Sequence, residues 1–185
     1  THTHARPGDR LVLTKPLGFG VAAQALKKQR LSDAQIAEVT TAMATLNRGA
    51  KDAAVAASVR CATDVTGFGL LGHLHEICRA AGVGAALDFA RVPLHPGILS
   101  LARDGLVTGA SARNWAGYGS QITLAPELAE WQQKILADPQ TSGGLLVACA
   151  PAAADAVLAQ FRQEGFEQAA IIGEMREGVP TITVG

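Results

Sequence analysis

The stretch Cys61-Ala62-Thr63-Asp64-Val65-Thr66-Gly67-Phe68-Gly69-Leu70-Leu71-Gly72 predicts how the chain around it folds. From Leu70 onward, apolar residues recur at helical spacing, and Gly82 stands where a glycine commonly follows the last turn of a helix. The pattern therefore predicts an amphipathic helix over residues 67–81. Asp64 is expected in the turn that opens this helix.

Two interpretations fit the polar residues of this turn. The free backbone N–H groups at a helix start favour an anion, and a carboxylate beside them can hold a divalent cation. Asp64 would then bind a metal ion, while Thr63, Thr66 and Gly67 would contact phosphate oxygens. Asp and Thr are also ordinary N-cap residues, which need no ligand. The local pattern leaves both interpretations open.

A second turn also combines polar residues with glycines. Asp138-Pro139 fixes a turn before an uninterrupted apolar strand predicted at 145–150. Thr141, Ser142 and Gly143-Gly144 offer hydroxyls and unhindered backbone N–H groups, which suit an anion nest. The same residues also suit an ordinary helix-to-strand turn. The local pattern does not decide between an anion site and a plain turn.

The two histidines of the predicted helix do not form a metal site. His73 and His75 are two residues apart, so their side chains point about 200° apart around the helix and cannot share one ion from the same turn. We expect one of them to face solvent and the other to lie near the packed face.

The rest of the pattern predicts about six strands and five or six helices, and hence a mixed sheet with helices against it. The predicted strands cover 11–13, 85–89, 121–124, 145–150, 169–175 and 179–184, the last two as a closing hairpin. Residues 107–120, with three glycines, are predicted to form a long irregular loop.

Composition limits the classes of function. The 185 residues suffice for one well-buried domain. Lys plus Arg and Asp plus Glu are both 16, so the formal charge of +0 gives no electrostatic basis for binding nucleic acid or an acidic membrane. Three isolated cysteines suit a reducing cytosol, and no apolar run is long enough to span a bilayer. We expect a soluble cytoplasmic protein without nucleic-acid or membrane partners.

Three segments resemble, in order and spacing, the C-terminal domain of the selenophosphate synthetase (selenide, water dikinase) family. They are Leu11-Val12-Leu13-Thr14-Lys15-Pro16-Leu17-Gly18, Thr63-Asp64-Val65-Thr66-Gly67-Phe68-Gly69-Leu70-Leu71-Gly72-His73 and Ala137-Asp138-Pro139-Gln140-Thr141-Ser142-Gly143-Gly144-Leu145-Leu146. The resemblance implies the α+β fold shared with aminoimidazole ribonucleotide synthetase, a three-layer α/β/α arrangement with a mixed β-sheet. It covers residues 9–185 as one domain. Residues 1–8 are expected to be a disordered lead or an artificial addition.

The resemblance also implies an activity, the formation of selenophosphate, AMP and phosphate from selenide, ATP and water. Mg²⁺ would neutralise phosphate charge during the transfer. In that family the carboxylate of the Thr-Asp-Val-Thr-Gly motif is a metal ligand near the nucleotide phosphates, and here this position is Asp64. Phosphate or interface contacts are expected from Thr63, Thr66, Gly67, Asp138, Thr141, Ser142 and Gly143.

The catalytic residues of that family are not expected in this chain. The reactive Cys or selenocysteine, the catalytic lysine, the other metal-binding aspartates and the glycine-rich nucleotide loop belong to an N-terminal half that this sequence lacks. Cys61, Cys78 and Cys149 do not occupy the nucleophile's motif, and Lys15 is not in the catalytic lysine's segment. We therefore assign no catalytic residue and expect the chain alone to be inactive. Its expected partners are the missing half and a second copy in a homodimer.

Two other hypotheses stay open. The chain could come from another ATP-dependent synthetase of the superfamily, such as aminoimidazole ribonucleotide synthetase or a hydrogenase maturation protein. The 138–144 segment disfavours this hypothesis, because its amino-acid sequence is closest to the corresponding motif of selenophosphate synthetase. The chain could instead be a non-catalytic dimerisation or regulatory module, although an intact motif around Asp64 speaks against that.

Overall fold

A seven-stranded mixed sheet forms the centre of the computed structural model, which describes residues 3–57 and 59–185. The strands are Arg10–Leu13 (β1), Cys61–Asp64 (β2), Gly84–Leu87 (β3), Ile122–Leu124 (β4), Leu145–Cys149 (β5), Ala170–Arg176 (β6) and Ile182–Val184 (β7). Their order is β2-β5-β1-β6-β3-β7-β4. Pairing is antiparallel from β2 to β3 and parallel among β3, β7 and β4.

Helices cover both faces of the sheet. They are Phe19–Lys27 (α1), Asp33–Ala44 (α2), Arg48–Ala56 (α3), Gly69–Ala81 (α4), Pro96–Arg103 (α5), Gly109–Tyr118 (α6), Glu130–Leu136 (α7) and Ala154–Gln163 (α8). One core contains residues of α3 and α8, and the larger core contains residues of α1, α4, α5 and α7. The three-layer α/β/α arrangement predicted for this chain is confirmed. No helix in the described ranges combines the length and apolarity needed to cross a membrane.

The two cores follow from the alternation of side chains along the central strands. Leu11 and Leu13 of β1 point into the larger core, whereas Val12 points into the smaller one, because successive strand residues face opposite sides. Strand β5 is covered on both faces, and every one of its residues is buried. This explains why its sequence is continuously apolar.

Residues 107–120 were predicted to form an irregular loop, and that prediction is wrong. Most of this segment is α6, whose N-cap Thr108 accepts a hydrogen bond on its side chain from the Ser111 N–H. Trp115 and Tyr118 pack against the larger core. The glycines concealed a short helix that tertiary packing stabilises despite their weak helix propensity.

The predicted closing hairpin is also wrong, because β6 and β7 do not pair. Strand β3 lies between them, antiparallel to β6 and parallel to β7. The chain passes from β6 to β7 around the start of β3, where a Cβ on Gly84 would lie 3.0 Å from the Val179 carbonyl oxygen. The absence of a side chain at Gly84 makes room for this crossing.

The segment before β1 is packed from Ala5 onward. Ala5 is buried in the larger core, and the Gly8 N–H donates to the Met175 carbonyl oxygen at 2.9 Å. The part of the predicted disordered lead that includes Ala5 and Gly8 is therefore in contact with the domain. Thr1 and His2 lie outside the described residues.

Candidate functional site

Asp64 is the last residue of β2, an edge strand that, among the strands the structure describes, pairs only with β5. The sequence predicted Asp64 in the turn that opens the helix, and this prediction is wrong. Helix α4 begins at Gly69 with Phe68 as its N-cap, four residues after Asp64. Asp64 is exposed, and its carboxylate accepts no hydrogen bond from any residue that the structure describes. The N-cap interpretation is therefore wrong, and the carboxylate is free to take a ligand.

The two polar turns predicted from the sequence come together at the end of β2. The Val65 N–H donates to the Gly144 carbonyl oxygen at 2.9 Å, and the Gln140 N–H donates to the Thr66 carbonyl oxygen at 3.0 Å. A Cβ on Gly143 would lie 2.1 Å from the Val65 carbonyl oxygen. The backbones of Val65 and Gly143 therefore approach so closely that only a glycine fits at position 143. The two turns thus form one site.

The substitution Gly143→Ala is expected to push these two turns apart. Its Cβ would overlap a backbone carbonyl that cannot rotate away, so we expect a loss of about 2 kcal/mol in the free energy of unfolding. Denaturant unfolding measures this loss, and Gly117→Ala is the control, since nothing lies within 4 Å of a Cβ there. Equal stability of the two variants would contradict the close approach.

The residues predicted to contact phosphate in the Asp64 turn differ in their exposure and in their hydrogen-bond partners. Thr66 Oγ1 lies 3.0 Å from Nε2 of His73, which is buried in the first turns of α4. His73 Nδ1 lies 3.3 Å from the Glu76 carboxylate, but off the line of a hydrogen bond. Thr63 is half-buried, and Gly67 is exposed. The sequence did not predict the Thr66–His73 pair, which joins the two ends of the motif.

Asp138 is fully buried, and its carboxylate is used inside the chain. It accepts hydrogen bonds from the Val21 N–H at 3.1 Å, the Thr108 hydroxyl at 3.2 Å, the Ser111 hydroxyl at 3.3 Å and the Gln140 amide at 3.2 Å. Burial raises its pKa to about 6, although the hydrogen bonds from Val21, Thr108 and Ser111 lower it. We therefore assign Asp138 a structural role, joining α1 and α6 to the turn, in place of the predicted phosphate contact.

The second turn presents Thr141 and Ser142 at the surface while its carbonyl groups are held from behind. Lys15 Nζ donates to the Ser142 carbonyl oxygen at 3.0 Å and to the Thr45 carbonyl oxygen at 2.6 Å. Burial lowers the pKa of Lys15. Asn47 Nδ2 donates to the Gly143 carbonyl oxygen at 2.8 Å. Lys15 and Asn47 were not predicted as parts of the site, because no local pattern links them to residues so far along the chain.

Ser142 itself has a left-handed backbone conformation, with φ at 53°. For a residue other than glycine this conformation costs about 1 kcal/mol. The bond from Lys15 offsets this cost by fixing the carbonyl. The turn is therefore held in a defined shape with its hydroxyl-bearing residues exposed.

A large cleft opens beside Asp64, and we call it the β2 cleft. It has a volume of about 1010 Å³. Asp64 and Thr63 line it from β2, and Arg48, Lys51 and Asp52 line it from α3. Cationic and anionic side chains thus share one open space that is large enough for a nucleotide or a segment of chain.

The donor set at Asp64 fits Mg²⁺ only if other ligands complete the shell. No group of three or more His, Cys, Asp or Glu residues within 3–57 and 59–185 could hold a metal ion. Mg²⁺ commonly takes one or two protein carboxylates, with waters and substrate phosphates as its other ligands. One exposed carboxylate beside an open cleft matches that pattern.

The cysteines are not suited to nucleophilic chemistry. Cys61, Cys78 and Cys149 are all buried. Burial raises the pKa of the Cys61 and Cys149 thiols to about 11 and that of Cys78 to about 12. They are therefore protonated at neutral pH, and the reactive thiolate form is scarce.

Comparison with known proteins agrees with the motifs. The sequence model of the family described as "AIR synthase related protein, C-terminal domain" matches residues 6–185. The selenide, water dikinase of Burkholderia ambifaria (strain MC40-6) is 51% identical over 180 residues, which are 97% of this chain and 51% of that protein. The chain thus spans about half the length of the curated relatives it matches.

Solved structures show the same fold at low sequence identity. E. coli HypE, a hydrogenase maturation protein, is 19% identical with a TM-score of 0.71, over 100% of this chain and 48% of that one. A HypE structure in complex with ATP is 18% identical with a TM-score of 0.66, over 100% and 49%. The match to the family model, supported by this fold, shows that the chain belongs to the family of AIR synthase related proteins, as their C-terminal domain.

Proposed function

We propose that this chain is the C-terminal half of a selenide, water dikinase, which forms selenophosphate, AMP and phosphate from selenide, ATP and water. The observation that carries the proposal is the 51% identity to such an enzyme along 97% of the chain. The free carboxylate of Asp64 at the mouth of the β2 cleft supports it. ATP as a substrate is further supported by the HypE structure that contains ATP.

In this proposal Asp64 provides one protein ligand to Mg²⁺. The bound ion supplies positive charge to the phosphate oxygens of ATP. Thr63, Thr66, Gly67, Thr141, Ser142 and Gly143 provide hydroxyls and backbone N–H groups for phosphate or interface contacts. Lys15 and Asn47 hold the second turn in place, so these groups need little reorganisation when the ligand arrives.

The chain contributes only part of the active site. The nucleophile, the catalytic lysine and the remaining metal ligands come from the complementary N-terminal half. We therefore propose that the chain alone is inactive, that the complete protein is a homodimer, and that it works in the cytoplasm, where three unpaired cysteines stay reduced.

The test is to restore a complete protein. The chain is joined behind the N-terminal half of the Burkholderia ambifaria relative, in place of the matching half of that enzyme; we call the product the joined protein. Supplied with ATP, Mg²⁺ and selenide, the joined protein is expected to yield selenophosphate and AMP. Phosphorus NMR detects both products. The 185-residue chain alone is expected to yield neither.

Two results would contradict the proposal. Release of AMP by the chain alone, dependent on both ATP and selenide, would show that the site is complete without the other half. A folded joined protein that makes no selenophosphate would point to another substrate or to a structural module. The hydrogenase maturation alternative rests on 19% identity, which supports a shared fold only.

A further inference from the structure

The free edge of β2 faces the β2 cleft. In its pairing with β5, Val65 donates to Gly144, so the odd-numbered residues of β2 turn their backbone groups toward β5. The backbone N–H and C=O groups of Ala62 and Asp64 therefore point away from the sheet. Ala62 and Asp64 also line the cleft. Among the described residues no strand pairs with these groups, and the Asp64 carbonyl oxygen accepts only a long hydrogen bond, 3.4 Å, from the Thr63 hydroxyl. A strand edge of this kind beside an open cleft can accept another strand.

Part of the cleft wall is apolar, and apolar side chains are more stable when a chain segment covers them than when they face water. Ala54, Val55, Val59 and Leu145 form an apolar lining next to the strand edge. Val55 is 70% exposed. An extended segment paired with β2 could cover such side chains with every second residue of its own.

The identity of the occupant follows from the length of the relatives and from the position of Asp64. The matched relatives are about twice as long as this chain, so a further half of similar size accompanies the domain in those proteins. A segment docked along β2 ends beside Asp64, where groups from that half are required if the proposed function holds. The other edge strand of the described sheet, β4, lies on the opposite side of the sheet from Asp64, so a segment docked there would not reach Asp64.

We propose that an extended segment of the complementary half docks on the free edge of β2, pairing with the backbone of Ala62 and Asp64 inside the β2 cleft. This inference rests on the proposed function and names the surface through which the two halves build their common site. Strand pairing fixes the register of the docked segment, because a shift by one residue would turn its side chains to the wrong face.

Hydrogen exchange tests this pairing directly. The amides of Ala62 and Asp64 are expected to exchange at least about tenfold more slowly in the joined protein than in the 185-residue chain. The amide of Leu124, on the edge strand β4, is the internal control and is expected to be unchanged. Equal exchange of Ala62 and Asp64 in the two proteins would overturn the proposal. Protection in the isolated chain that grows with its concentration would also overturn it, since the occupant would be a second copy.

A pair of substitutions at Ala62 provides an independent test. Ala62→Pro removes the outward N–H but none of the hydrogen bonds to β5, so the isolated chain is expected to stay folded. In the joined protein this change is expected to return exchange at Asp64 to the rate of the isolated chain. Ala62→Thr retains the N–H and is expected to preserve the protection. Loss of protection in both variants, or in neither, would contradict strand pairing.

The test separates this inference from the proposed function. An active joined protein whose β2 amides exchange freely would refute the docking surface and leave the function standing. An inactive joined protein with protected β2 amides would refute the function and support the surface.

Discussion

Replacing Asp64 by Asn in the joined protein is expected to lower the turnover number for selenophosphate formation at least about a hundredfold. Asparagine has nearly the same size and shape but no negative charge, so it binds Mg²⁺ poorly and leaves the phosphate charge less compensated. The residual activity is expected to need more Mg²⁺ for half-saturation. Initial rates measured over a series of Mg²⁺ concentrations give both quantities.

The same substitution should not affect folding. Asp64 is exposed, and its carboxylate makes no hydrogen bond within the described parts of the chain, so the melting temperature is expected to be unchanged. Asp104→Asn is the matched control, because Asp104 is also an exposed aspartate and lies at the end of α5. An Asp64→Asn enzyme as active as the Asp104→Asn control would remove Asp64 from the metal site.

Features recorded in short stretches of sequence were predicted well. The apolar stripe that starts at Leu70 marks α4, and Gly82 ends it in a left-handed conformation with φ at 69°. The run from Leu145 to Cys149 marks the buried interior strand β5. Both signals are local, because helical periodicity and burial on two faces can be seen within about ten residues.

The pairing of strands that are far apart in the chain could not be predicted from the sequence. β2 has four residues and no clear alternation, and its place at the edge depends on β5 more than 80 positions later. The same limitation explains the wrong hairpin, since nothing between β6 and β7 shows that β3 separates them. Adjacent strands often pair, but here an earlier strand already occupies that position.

The candidate site was predicted by its exposed residues and not by their supports. The two turns were identified from their motifs, yet only the structure shows that Val65 and Gly143 bring them together. Lys15 and Asn47 act on backbone carbonyls, which carry no sequence signature. Asp138 was misassigned because a carboxylate next to a glycine-rich turn looks the same in sequence whether it faces solvent or the core.

The burial of Asp138 leads to a prediction for stability. Asp138→Ala removes the acceptor for the four donors from Val21, Thr108, Ser111 and Gln140, all in a buried setting. We expect the free energy of unfolding to fall by about 4 kcal/mol at neutral pH. Asp138→Asn is the matched variant, since its oxygen can accept from Val21 while its amide donates to a hydroxyl that turns to receive it. We expect it to stay within about 1 kcal/mol of the unchanged chain.

The pH dependence of these proteins distinguishes a buried charge from ordinary packing. The pKa of Asp138 rises from 3.8 to about 6 on folding, so between these values the folded chain holds a proton that the unfolded chain has lost. This contribution to stability is fully present below pH 3.8 and is lost as the pH rises through 6, the reverse of a salt-bridged aspartate. From pH 4 to pH 7 the unchanged chain should lose about 2 kcal/mol relative to Asp138→Asn. Denaturant unfolding of both proteins at each pH measures the difference, and parallel curves would mean that burial does not raise this pKa.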